Sequence, residues 1–90
     1  MVVSIEFSEQ FLEDADQIYS PKLAKKLKKT ILLLEVIPAM GSKIIRDSLK
    51  ERFGEDIFKL VVGPFDLIYT YDESTSSVRL HALVPQKTVK

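Results

Sequence analysis

Phe58-Lys59-Leu60-Val61-Val62-Gly63-Pro64-Phe65-Asp66-Leu67-Ile68-Tyr69-Thr70-Tyr71 is the stretch that decides the fold. Phe58, Leu60 and Val62, then Phe65, Leu67, Tyr69 and Tyr71, fall at every second position, the period of a strand with one buried face. Gly63-Pro64 interrupts the run at the length of a tight hairpin. After the polar loop Asp72-Glu73-Ser74-Thr75-Ser76 the alternation returns in Val78, Leu80, Ala82 and Val84. These segments predict a meander of three strands with one continuous apolar face.

Upstream, Val2 to Phe7 is short and β-rich, and Ser8 offers a helix N-cap with Glu9 in the first turn, where the macrodipole favours an anion. Phe11, Leu12, Ala15 and Ile18 follow at helical spacing. Ser20-Pro21 is a second helix start, because proline lacks only a donor that the first turn does not use. That second helix carries Leu23, Ala24, Leu27, Ile31 and Leu34 on one stripe and should stop before Pro38. A short connection makes the pair an antiparallel αα-hairpin. Pro38-Ala39-Met40-Gly41-Ser42 is a turn cluster, and Lys43 to Leu49 is predicted to add one or two helical turns.

Two amphipathic helices need an apolar surface to cover, and the sheet face is the one on offer. The expected class is α+β in the order β-α-α-β-β-β: an antiparallel sheet with a helical hairpin packed on one face, as a single domain over residues 1–90.

Composition narrows the function. With 46% hydrophobic and 29% charged residues and a mean hydropathy of +0.04, the chain has the make-up of a globular domain, not of a disordered one. No apolar run is long enough to cross a bilayer, and the N-terminus lacks a signal-peptide pattern, so the expected location is the cytoplasm. The absence of cysteine removes disulfides, thiolate nucleophiles and Cys-ligated zinc, and a lone histidine argues against a metal site or metal cofactor.

The formal net charge of zero hides a segregation. Residues 1–20 hold Glu6, Glu9, Glu13, Asp14 and Asp16 without a basic side chain, whereas the middle of the chain is rich in Lys and Arg. Such a stretch is permissive for nucleic acid, although neutrality argues against strong nonspecific binding.

The element order, together with Ile57-Phe58-Lys59-Leu60-Val61-Val62-Gly63-Pro64-Phe65-Asp66-Leu67-Ile68-Tyr69 and Val78-Arg79-Leu80-His81-Ala82-Leu83-Val84, resembles the RelE/ParE superfamily of bacterial toxins. The resemblance implies an antitoxin protein as partner. It also implies one of two targets: messenger RNA cut on the ribosome, or DNA gyrase in the ParE branch. The residues depart from the pattern in three places. Val61 and Asp66 stand where the family often has arginine, and the tail Pro85-Gln86-Lys87-Thr88-Val89-Lys90 lacks the aromatic common in RNA-cleaving members.

Strand alternation sends Ile57, Lys59, Val61, Asp66, Ile68, Thr70, Arg79, His81 and Leu83 to the face opposite the helices. If Val62 pairs with Phe65 and Tyr71 with Val78, Lys59 and His81 both fall opposite Ile68, a row of roughly 10 Å. Asp66 would then lie diagonally from both, placed to pair with Lys59. Cleavage by a ribose 2′-hydroxyl needs a base, an acid and a cation at the phosphate, and His81, Lys59 and Arg79 are the catalytic candidates. Lys43, Arg46, Lys50, Arg52 and Lys87 are the candidates for RNA contact. A solvated sheet face carrying the same residues without a function is the plain alternative. The apolar arc around Leu32-Leu33-Leu34 would suit a partner's helix, either an antitoxin's or that of a second copy in a homodimer.

The expectation is a toxin that cleaves messenger RNA at the ribosome without metal. The competing class is a protein-binding effector without catalysis, acting on gyrase or retaining only antitoxin binding. Lys59 and His81 favour the first; the missing arginines and neutral charge favour the second.

Overall fold

Ser8 ends the first strand and starts the first helix in one step: its backbone is extended and its side chain accepts a hydrogen bond from the Phe11 N–H. In the computed structural model, which describes residues 2–86, the elements are β1 (Ser4–Phe7), α1 (Glu9–Asp16), α2 (Pro21–Val36), α3 (Asp47–Phe53), β2 (Phe58–Val62), β3 (Phe65–Asp72) and β4 (Ser77–Pro85). Ser20 caps α2 through Leu23, with Pro21 at its start, as the sequence implies. The Gly63-Pro64 hairpin pairs Val62 with Phe65, and Gly63 takes the left-handed φ of 59° that such a turn needs.

The order of the sheet is β1-β4-β3-β2. The meander is antiparallel, but β1 runs parallel to β4, so the sheet is mixed rather than wholly antiparallel. β4 would otherwise leave a row of unpaired backbone groups on its outer edge, and β1 fills it.

Phe11, Leu27 and Leu34 from the helical hairpin bury against Val62, Leu67, Tyr69, Val78, Leu80 and Leu83. A second, smaller cluster lies outside this one: Ile45 and Leu49 with Ile57 and Ile68, flanked by Phe53 and Val84. The side of the sheet expected to be open is therefore partly covered, by α3 and the segment before it. The third helix also lies later than Lys43 to Leu49. Ile44, inside the expected span, is 86% exposed, and Leu49 and Phe53, one helical turn apart, supply the buried face.

The largest correction is in β4. Tyr69 pairs with Leu80, as expected, but Ile68 pairs with Ala82, so His81 is the extra residue of a β-bulge. Parity changes there. Leu83, assigned from alternation to the open face, joins the core under the helices, while Val84, assigned to the core, packs beside Ile68 on the other side.

Candidate functional site

Lys59 sits opposite Ile68 as the register required, with its backbone N–H and C=O bonded to Ser42 at 2.9 and 2.8 Å. The rest of the expected row does not form, because Ala82 occupies the place opposite Ile68 that alternation had assigned to His81. From the bulge, the imidazole of His81 lies half-buried, its Nε2 3.0 Å from Thr70 Oγ1 and its ring 6.2 Å from that of Phe53. Burial, and then the charge of Arg79, hold His81 below the ordinary histidine range. The neutral imidazole is the favoured form.

Arg79 is tied across the β1–β4 ladder to Glu6, with Nη1 3.2 Å from Oε1 and both side chains about half exposed. Asp66 is almost fully buried and accepts from Gln86 Nε2 at 3.1 Å; it does not make the expected pair with Lys59. Glu6 on β1 and Asp66 on β3 thus place carboxylates on the strands next to those that carry Arg79 and Lys59.

The cations expected to contact RNA divide. Arg46 begins α3, and Lys50 and Arg52 occupy its last turn, with the Arg52 guanidinium 4.8 Å from the centre of the Phe53 ring. Lys43 instead places its ammonium 4.7 Å over Phe58, whose ring stacks on Tyr69 beneath the helical hairpin. The groove there also holds Asp56, Asp72 and Glu73, an environment that competes with phosphate for the lysine. Lys87 lies outside the described residues.

Away from this face, α1 and α2 leave an apolar groove between them, lined by Phe7, Phe11, Ala15, Ile18, Leu27 and Ile31 with Lys28 on its lip. Leu12 and Leu32 add half-exposed apolar surface. α1 carries only acidic charge and the first half of α2 only basic charge, so opposite charges flank the groove. The wide apolar arc of α2 was legible in the sequence; the share of Phe7 and α1 required the helices to be placed.

The sequence matches the profile of the ParE toxin of type II toxin-antitoxin systems, parDE, over residues 5–85. No curated protein matches it. Among solved structures, the fold is similar to the RelBE2 toxin-antitoxin complex from Mycobacterium tuberculosis, at TM-score 0.75 and 15% identity over 96% of this chain and 100% of that one. It is also similar to the isolated E. coli RelE toxin, at TM-score 0.75 and 13% identity over 98% of this chain and 88% of that one. The YoeB-YefM toxin-antitoxin complex from Staphylococcus aureus gives TM-score 0.68 at 18% identity, over 97% of this chain and 100% of that one. At these identities the likeness is one of fold.

Proposed function

The chain belongs to the ParE toxin family of type II toxin-antitoxin systems, and from that premise we propose that it acts by binding proteins rather than by cutting RNA. The observation that carries this is the bulge at His81, which takes the imidazole out of line with Lys59 and sets it beside Thr70 and Phe53. In-line cleavage needs a base and a phosphate-binding cation held in one geometry. Here Arg79 is shared with Glu6, and Asp66 stands where a cation would serve phosphate better.

The protein target this favours is DNA gyrase, the target the resemblance attaches to the ParE branch. The cognate antitoxin seats an amphipathic segment in the groove between α1 and α2, where apolar burial supplies affinity and the charged flanks set its orientation. Both encounters take place in the cytoplasm.

RNA cleavage at the ribosome is the second reading. It is favoured by Lys59 and His81, both outside the core under the hairpin, and by the cations of α3. One experiment decides between them. The purified chain is added to a gyrase supercoiling reaction and, separately, to ribosomes carrying a messenger. Inhibited supercoiling with an intact messenger is the expected result. A cut messenger whose cleavage stops in Lys59→Ala would replace the proposal with the second reading.

A further inference from the structure

Ser42 and Lys59 exchange a pair of backbone hydrogen bonds, 2.8 Å from Ser42 N to Lys59 O and 2.9 Å from Lys59 N to Ser42 O. They tie together the ends of a loop that contains α3, of the size of a compact Ω-loop. Next to that base, Gly41 N–H donates to the Tyr69 hydroxyl at 2.9 Å, which anchors the near end in the main core.

The backbone hydrogen bonds around α3 are local. Leu49 and Lys50 N–H reach Arg46 O, and Gly54 N–H reaches Lys50 O. The hold on the sheet is apolar and narrow: Ile45, Leu49 and Phe53 against Ile57, Ile68 and Val84. α3 is seven residues long with no side-chain cap at Arg46, far shorter than a helix that persists alone, so it depends on those few contacts. At its far end Gly54 has a φ of 99° with open space where a Cβ would lie, a joint that a side chain would stiffen.

We propose that residues 43–56 form a flap, hinged above the Ser42–Lys59 bridge, which lifts as a unit while the hairpin core stays folded. Opening uncovers Ile68 and frees His81 from Phe53, so the face beside Lys59 has a closed and an open state. Local opening of this kind is set by the few contacts of the unit that moves and not by the stability of the whole domain.

The chain has no cysteine, so single thiols report on it cleanly. Leu67 and Ile68 are consecutive residues of β3, each fully buried, one beneath the helical hairpin and the other beneath the flap. Labelling of Ile68→Cys by a thiol reagent should run at least about tenfold faster than that of Leu67→Cys and be indifferent to low urea, whereas Leu67→Cys should follow global unfolding. Equal rates with the same urea dependence overturn the flap. Because either variant could perturb folding, the unmodified chain gives a second measurement. Hydrogen exchange at the Leu49 and Lys50 amides should be at least about tenfold faster than at Leu67 and Tyr69 after correction for intrinsic rates. A single opening event shared by all four amides overturns the proposal.

Discussion

Ile68 stands opposite Ala82 across β3 and β4, while the next residue, Tyr69, stands opposite Leu80, so His81 has no counterpart. The bulge is held from the other side of β4. Ser8 N–H donates to Leu80 O at 3.0 Å and Ser8 Oγ–H donates to His81 O at 2.8 Å. One step further on, Leu83 N–H donates to Asp14 Oδ2 at 3.0 Å. Where β1 ends, the N-cap Ser8 and Asp14 in the second half of α1 continue the ladder.

Asp14→Ala should therefore cost more than an ordinary change on a surface helix. It leaves the Leu83 N–H without its charged acceptor, a loss of about 1.5–3 kcal/mol by the usual worth of such bonds. Urea denaturation measures it, with Glu13→Ala as the exposed neighbour for comparison. Equal, small effects from the two changes would show that the carboxylate does not hold β4.

His81 links stability to pH. Its folded-state titration lies below the unfolded value of about 6.5, so between the two the unfolded chain binds the proton and the folded chain does not. Stability should be fully present above that unfolded value and fall as pH drops below it, levelling off once the folded imidazole also protonates. Urea midpoints between about pH 7.5 and 5.5 should decline in the parent chain and stay flatter in His81→Gln. Parallel curves would assign the decline to other groups.

Gly41 and Tyr69 should couple strongly. A Cβ at Gly41 would meet the Tyr69 hydroxyl at 2.6 Å and the Lys59 carbonyl at 3.0 Å, and the carbonyl is pinned by Ser42. Gly41→Ala is expected to cost about 1–3 kcal/mol by overpacking. Tyr69→Phe should cost about 1–2 kcal/mol, because it strips the Gly41 N–H of its acceptor. The double variant should be less damaging than the sum, since removing the hydroxyl also removes the nearest clash. Strict additivity in a double-mutant cycle would contradict this geometry.

Lys28 tests the antitoxin groove. Lys28→Glu reverses the charge on the lip without touching the core, so the fold should keep its stability to within about 0.5 kcal/mol. Calorimetric titration with the cognate antitoxin should show binding weakened about tenfold at low salt, with the difference shrinking as salt rises. Unchanged affinity at low salt would move the antitoxin elsewhere.

Arg79→Ala should be nearly silent in stability, within about 0.5 kcal/mol, because its partner Glu6 and the guanidinium are both about half in water. A change in gyrase inhibition by this variant can then be read as lost contact, with thermal unfolding as the control. A large drop in melting temperature would show that the pair does more than decorate the surface.

Much of this molecule was legible in one dimension. The alternation in Phe58 to Tyr71, the Gly63-Pro64 turn and the caps at Ser8 and Ser20 were sufficient for two helices, a meander and the pairing of Lys59 with Ile68, because each depends on neighbours along the chain. The direction of β1, the cover made by α3, the sides to which Leu83 and Val84 point and the register of His81 were decided only in three dimensions. Alternation assumes an unbroken ladder, and here it is broken by Ser8 and Asp14, 73 and 69 positions away from the β4 groups they bind. No local pattern around His81 carries that information, so the fold could be read from the chain while the arrangement of its candidate site could not.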